Sequence, residues 1–145
     1  MDTTTTHTCR PRLPATTSAG GAAAHLRVGA LGEELACRHL VQDDGLTLVA
    51  RNWRHASGEL RGELDVVALE IATSTLVVCE VKTRRDAARF GGAVAAVSPR
   101  KQAQVRALTA AFLRAAQRPY RHVRLDVIAI DLAPTPLLTH LVAVL

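Results

Sequence analysis

The sequence predicts an α/β domain whose elements follow the order α-β-β-β-α-β-β. Two segments carry apolar residues at helical spacing, and five short segments are either continuously apolar or alternate as strands do. The chain has 145 residues, of which 48% are hydrophobic, and this is enough to build one core. Because only 3% are aromatic, we expect an aliphatic core, and a wholly disordered chain is excluded.

The first half of the domain is predicted to be one helix followed by three strands. Residues 27–42 carry apolar side chains along one helical stripe, and Gly45 follows as a stop signal. A short turn between the second and third strands indicates a hairpin. The strands are expected at residues 46–53, 62–71 and 75–82.

The second half is predicted to contain a loop, a helix and two strands. Residues 84–97 include two adjacent glycines and few periodic apolar residues, which predicts a mobile basic loop. Ser98 is a good helix cap, Pro99 fits the first helical position, and Pro119 ends the helix. The two strands are expected at residues 123–131 and 137–145.

Residues 1–25 are rich in Thr, Ala, Pro and Gly and have no apolar period. We therefore expect a disordered extension there, followed by a single domain over residues 26–145. No stretch approaches the roughly 18 to 20 apolar residues of a membrane span, and the N-terminus lacks the apolar centre of a signal peptide. These features predict a cytoplasmic protein with no membrane partner.

The cysteines and histidines give no sequence signal for a metal site. Three cysteines are an odd number with no CxxC pair, so we expect free thiols at Cys9, Cys37 and Cys79. Three histidines have no other His or Cys at ligand spacing, and we expect partly exposed or capping roles for His39, His55 and His122.

The charge of the chain is unevenly distributed. The net charge is +5, yet residues 31–80 carry nine acids against four arginines, and residues 82–124 carry eleven Lys or Arg against one acid. The basic block is either a solvated surface that keeps the protein soluble or a wall that binds a polyanion beside an acidic site.

Charged side chains interrupt two of the apolar strands. Asp65 lies two residues after Glu63, and Lys82 lies two residues after Glu80, so each pair leaves one face of its strand. One explanation is a half-exposed hairpin on which Lys82 pairs with Glu80 or Asp65, worth roughly 0 to 1 kcal/mol. The other is an Mg or Mn ion held by Asp65 and Glu80, with Lys82 orienting the attacking water or stabilising charge on a phosphate.

Two helical segments add candidates to this site. Glu33 lies on the apolar side of the first helix, where a carboxylate either reaches solvent at the rim or points into a site. Lys101 and Gln102 lie at the edge of the apolar stripe of the second helix. Lys82 and Lys101 are the only lysines among eighteen basic residues, which suggests that the compact ammonium is needed there.

An ordered set of motifs runs from Gly29 to Ile130: GALGEELA, LVARNWR, GELDVVA, LVVCEVKTR, RFGGAVAAVSPRKQ and RLDVIAI. In these motifs the sequence resembles the YraN-like family, uncharacterised protein family 0102. That family resembles Holliday junction resolvases and restriction endonucleases. The resemblance implies a restriction-endonuclease-like core, in which a central mixed β-sheet is flanked by helices.

The related nucleases hold a metal through an Asp and an x-Glu-x-Lys element on adjacent strands, often with a Glu from the first helix. By resemblance, Asp65 matches the strand acid, Glu80 and Lys82 the Glu-x-Lys pair, and Glu33 the helix acid, while Gln102 falls at the Lys-Gln helix start. The resemblance implies a metal-dependent endonuclease that hydrolyses DNA phosphodiester bonds. Asp65, Glu80 and Glu33 would then bind Mg or Mn, Lys82 would activate water, and Gln102 would assist near the scissile phosphate.

Six basic residues are expected to contact backbone phosphates: Arg84, Arg85, Arg89, Arg100, Lys101 and Arg106. The scarcity of aromatic residues favours duplex or branched DNA over single strands, and the resemblance to two-fold resolvases raises the expectation of a homodimer. Two alternatives stay open, a non-catalytic nucleic-acid-binding module that keeps the nuclease fold and a protein-interaction domain. The clustered acids favour a catalytic site, because phosphate binding alone gains nothing from them.

Overall fold

The computed structural model describes residues 5–14, 22–85 and 97–144 and contains a mixed six-stranded sheet with two α-helices. The predicted order of elements is confirmed from the first helix onward, and one strand precedes it. The elements are β1 (Thr5–Cys9), α1 (Ala22–Arg38), a π-helical turn (His39–Asp43), β2 (Thr47–Trp53), β3 (Leu64–Glu70), β4 (Thr75–Arg84), α2 (Pro99–Ala115), β5 (His122–Asp131) and β6 (Leu137–Val142).

The strands lie in the order β1-β6-β5-β4-β3-β2. β4 and β5 are parallel, and the other neighbouring strands are antiparallel. Parallel neighbours need a long connection, and α2 lies within it. The basic loop predicted in the same connection falls largely on residues 86–96, which lie outside the described residues.

Alternate residues of the central strands pack against different helices. Val77 and Cys79 of β4 belong to a buried cluster with Leu35 of α1, whereas Val78 belongs to a second cluster with Leu108 of α2. Because successive strand residues point to opposite faces, α1 and α2 cover opposite sides of the sheet. Cys79 is fully buried in the core on the side of α1.

The start of α2 is fixed by the residues that the sequence singled out. The Ser98 hydroxyl accepts a hydrogen bond from the Lys101 N–H at 3.3 Å, and Pro99 occupies the first turn. Further along the helix, the Phe112 ring meets Trp53 of β2 edge to face, with ring centroids 5.2 Å apart. The cap determines where α2 begins, and the ring contact packs its later turns against the sheet.

The prediction of disorder over residues 1–25 is wrong for Thr5–Cys9. This segment is β1, which pairs along the edge of β6 from Thr5 opposite Val142 to Cys9 opposite Leu138. Its side chains are mostly exposed, so an apolar period is not required, and threonine favours extended structure. Helix α1 likewise begins at Ala22, before the predicted domain boundary.

Two further predictions concern the state of the cysteines and the presence of membrane-spanning helices. The three cysteines are free thiols, as expected. In the ranges that the structure describes, neither helix is long and apolar enough to cross a membrane.

Candidate active site

The two strand carboxylates come together where β3 and β4 separate. Pairing of these strands ends at Val66 opposite Cys79, and the next residue of each strand is Asp65 and Glu80. Asp65 Oδ2 accepts a hydrogen bond from the Val81 N–H at 2.8 Å, so this side chain replaces a strand partner. Asp65 and Glu80 are each only 9% exposed. The structure therefore places two acids in a poorly solvated position.

The electrostatics of this pair are unfavourable without a cation. Burial raises the pKa of Asp65 to about 7, and the negative charge of Glu80 acts in the same direction. The Val81 hydrogen bond and the positive charge of Lys101 oppose the shift, and Glu33 adds a further negative charge. Acids that repel each other in a buried site are frequent at functional sites.

Lys101 is the lysine that contacts the carboxylates. Its Nζ lies 3.0 Å from Glu80 Oε1, whereas Lys82 is exposed. The pairing of Lys82 with one of the acids on the hairpin is thus not observed, and Glu80 pairs instead with Lys101 of α2. Glu80 Oε2 is buried and has no hydrogen-bond partner among the described residues. No donor of the described part of the chain satisfies the lone pairs of this carboxylate oxygen.

Two side chains of β2 hold the carboxylate of Glu33 in place. The Asn52 side-chain amide donates a hydrogen bond to Glu33 Oε2 at 2.9 Å, and Arg51 Nη2 lies 3.9 Å from the same oxygen. Asn52 has a positive φ of 47°, a left-handed conformation that asparagine tolerates better than most residues. Within the described ranges, Glu33, Asp65 and Glu80 do not bring three ligand atoms within 4.8 Å of one another. Glu33 is therefore suited to a contact through water.

Asn52 and Arg51 were not singled out in the sequence. The signal was present, since both lie in the motif LVARNWR, but nothing in a strand pattern shows that its polar side chains reach a helix.

Gly62 positions the loop that leads into β3. Its φ of 96° is unfavourable for residues with a side chain, and a Cβ there would lie 2.5 Å from the Gln104 side chain. That side chain, on α2, donates a hydrogen bond to the Arg61 carbonyl at 2.7 Å. The loop before Asp65 is thus tied to the helix that carries Lys101.

The remaining predicted residues are divided between the site and the surface. Gln102 Nε2 donates a hydrogen bond to the Val97 carbonyl at 3.2 Å. Arg84 Nε lies 2.9 Å from Asp131 Oδ1 and its side chain is 10% exposed, so it serves an ion pair within the sheet rather than an open surface. Arg89 lies outside the described residues. The exposed members of the predicted interface are Arg85, Arg100 and Arg106.

The prediction for His39 is wrong. It is buried, 7% exposed, and its ring meets that of His140 edge to face. His140 lies about a hundred positions further along the chain, on β6, so no local spacing could show this contact. His55 is partly exposed and His122 is exposed.

Asp65→Asn is expected to stabilise the metal-free protein at alkaline pH. The ordinary pKa of Asp is about 3.9 in an unfolded chain. Between that value and pH 7 the folded state holds more protons at Asp65, so stability falls as pH rises through this window. At pH 8, the free energy of unfolding of Asp65→Asn should exceed that of the wild type by about 2 to 4 kcal/mol.

Urea denaturation with a chelator at pH 4 and pH 8 measures this difference, which should be small at pH 4. The exposed Glu59 supplies a matched control, Glu59→Gln, whose stability should follow the wild type at both values. A variant Asp65→Asn that is less stable than the wild type at pH 8 would contradict the repulsion described above.

Comparison with known proteins agrees with the motif set. The profile of the uncharacterised protein family UPF0102 matches residues 32–130. The chain is 48% identical to a UPF0102 protein of Acidothermus cellulolyticus, over 77% of this chain and 86% of the relative. It is 42% identical to a UPF0102 protein of Mycobacterium ulcerans, over 82% of this chain and 94% of the relative. The chain therefore belongs to the uncharacterised protein family UPF0102.

Proposed function

We propose that this protein is a metal-dependent nuclease that hydrolyses DNA phosphodiester bonds. The observation that carries the proposal is the buried pair Asp65 and Glu80, in which Asp65 has a pKa of about 7 and Glu80 has an oxygen without a hydrogen-bond partner in residues 5–14, 22–85 and 97–144. A purely structural ion pair would satisfy its acceptors, whereas Lys101 contacts only one oxygen of Glu80 and leaves the second without a partner among the described residues.

The donor set fits a small hard cation. Mg and Mn prefer carboxylate oxygens and keep several waters, so two acids suffice. Asp65 and Glu80 would hold the ion, and Glu33, fixed by Asn52, would reach it through water. When bound, such an ion stabilises charge on a phosphoryl oxygen and lowers the pKa of its water.

The two lysines supply positive charge in addition to that of the ion. Lys101 offsets the charge of Glu80 at 3.0 Å, which keeps the acid pair tolerable in the folded protein. The exposed ammonium of Lys82 is two residues after Glu80 on the same face of β4, where it is available to a phosphate or to the attacking water. Gln102 follows Lys101 in the first turn of α2 and would contact the same phosphate region.

DNA is the proposed substrate because exposed arginines lie on α2, the helix whose Lys101 contacts Glu80. Arg100 and Arg106 flank the helix turn that holds Lys101, and Arg85 follows the end of β4. Such contacts recognise the backbone of duplex or branched DNA without reading its sequence.

The first test is titration of Mg and of Mn into the chelator-treated protein, followed by incubation of the same samples with duplex, branched and single-stranded DNA. We expect one carboxylate-dependent ion per chain and cleavage only when the metal is present, with duplex or branched DNA preferred. The double variant Asp65→Asn Glu80→Gln is the control that must lose both. DNA binding that is insensitive to metal, without cleavage, would overturn the nuclease and favour a binding module with the same fold.

Removal of two exposed arginines should weaken DNA binding uniformly. For Arg100→Gln Arg106→Gln we expect lower affinity for every duplex sequence, and a salt dependence whose log–log slope falls by about 2. The matched control is Arg118→Gln Arg121→Gln, which removes the same number of positive charges. These arginines precede His122, which pairs with Thr75 at the end of β4 that is far from Glu80. Fluorescence anisotropy at several salt concentrations measures both slopes, and equal losses in the two variants would contradict the interface.

A further inference from the structure

Three potential metal ligands converge on the sheet face covered by α1, away from the acids described above. His39 Nε2 lies 3.2 Å from His140 Nδ1, and Asp44 Oδ2 lies 3.3 Å from His140 Nδ1 and 3.6 Å from His39 Nε2. The atoms form a nearly equilateral triangle. Both histidines are buried, and the Asp44 side chain is 29% exposed.

The opposite nitrogen of each ring is engaged by another carboxylate. His140 Nε2 lies 2.9 Å from Asp126 Oδ2, and Asp126 also accepts hydrogen bonds from Arg124 and the Ala143 N–H. Asp126 is buried and accepts from positively charged and N–H donors on both of its oxygens, so it also accepts from His140 Nε2. His39 Nδ1 likewise lies 2.9 Å from Asp43 Oδ2 and donates to it.

These contacts determine where the lone pairs point. With protons on His39 Nδ1 and His140 Nε2, the facing nitrogens of both rings are acceptors, and Asp44 brings a third acceptor. Three acceptors within 3.6 Å of one another repel unless a positive charge lies among them. A single proton bridges two of these atoms and leaves the third unsatisfied, whereas a metal ion contacts all three.

The dimensions suit zinc. In a tetrahedral site with Zn–N distances of about 2.0 to 2.1 Å, ligand atoms are about 3.3 to 3.4 Å apart, close to the three observed edges. Carboxylates that orient ligating histidines through their other nitrogen are a regular feature of zinc sites. We propose that His39, Asp44 and His140 form a binding site for one Zn²⁺ ion.

Solvent can reach this position. A cleft of about 910 Å³ is lined by His7, Cys9, His39, Asp43 and Asp44, among others. His7 of β1 pairs with His140 of β6, and their ring centroids are 6.2 Å apart. Three protein ligands with a fourth position open to water, or to His7, match zinc sites that bind a further group.

A second set of atoms competes for the same ion. Cys9, His39 and Asp43 also bring three ligand atoms within 4.8 Å of one another. In this set Cys9 Sγ lies 3.9 Å from His39 Nδ1, which is longer than each of the three distances among the atoms of His39, Asp44 and His140. The set also uses His39 Nδ1, which already donates to Asp43. The set with Asp44 and His140 is therefore favoured.

The test is calorimetric titration of Zn²⁺ into the chelator-treated full chain. One ion per chain should bind to Asp65→Asn Glu80→Gln, which lacks the acids of the proposed nuclease centre, and the wild type should bind this same ion, so that the zinc site is separated from that centre. Asp44→Asn should lose about tenfold or more in affinity, and His140→Gln should lose binding. Glu59→Gln, at an exposed acid elsewhere, is the control. Since His140 is buried, circular dichroism must accompany its variant, whereas Asp44 is near solvent and tests the site without that risk.

Cobalt substitution identifies the ligands. Co²⁺ in the proposed site should give the visible bands of a tetrahedral ion without a thiolate-to-metal charge-transfer band, and Cys9→Ser should not alter them. The proposal is overturned if the wild type does not bind zinc, if Asp44→Asn binds as tightly as the wild type, or if a charge-transfer band appears and is lost in Cys9→Ser.

Discussion

Replacing Glu80 with glutamine should lower metal-dependent cleavage of DNA by about 10³-fold or more while leaving the fold intact. The substitution keeps the size of the side chain and removes the charge that would hold the ion. Because Glu80 repels Asp65, we expect the variant to be at least as stable as the wild type in the absence of metal. Initial rates with saturating Mg, together with thermal unfolding of the same sample, measure both effects.

Glu63 provides the matched control. It belongs to the same GELD motif as Asp65, but its carboxylate pairs with Arg54 at 2.9 Å on the surface. Glu63→Gln should therefore retain cleavage. Full activity in Glu80→Gln would show that the buried acid pair does not hold the catalytic ion.

Gly32→Ala should destabilise the protein by about 2 kcal/mol or more. Helix α1 approaches β4 so closely at this position that a Cβ would lie 1.6 Å from Thr83 Oγ1 and 2.8 Å from Thr83 Cβ. The helix must move away, and Glu33, the next residue, moves with it. Urea denaturation measures the loss, and the predicted cleavage should fall as well, because the helix acid is displaced.

Gly29→Ala tests the opposite case on the same helix. A Cβ at Gly29 meets nothing within 4 Å, so the substitution should stabilise the helix by about 0.5 to 1 kcal/mol. Thr83→Ala should rescue Gly32→Ala only in part, since the oxygen is removed but the Cβ stays. Equal stabilities for the two alanine variants would contradict the close packing of α1 on β4.

Much of the fold followed from local signals. The cap at Ser98 and the alternation along β3 and β4 gave elements close to those observed, because each depends on neighbouring residues. The strand Thr5–Cys9 was missed because an exposed edge strand needs no apolar pattern and is stabilised by its partner at the other end of the chain. Hydrogen bonding to a distant strand leaves little trace in a short polar segment.

The candidate site also has features that the local sequence predicts and features that depend on distant contacts. Asp65 and Glu80 could be identified because charge is conspicuous within an apolar strand. The pairing of Lys101 with Glu80 and the hydrogen bond of Asn52 to Glu33 depend on how helices lie against the sheet, which one strand pattern does not contain. The meeting of His39 with His140 is still less accessible, since each residue by itself is an ordinary side chain of its element.

The pairing of β1 with β6 sets an order for biosynthesis. Among the strands that the structure describes, β1 leaves the ribosome before the others and its partner β6 leaves after them. The strands β2 to β5 can assemble before β6 is made, so the edge formed by β1 closes only after β6 has been synthesised. The contact between β1 and β6 is thus of long range and forms late, and His7 meets His140 only after β6 has been synthesised.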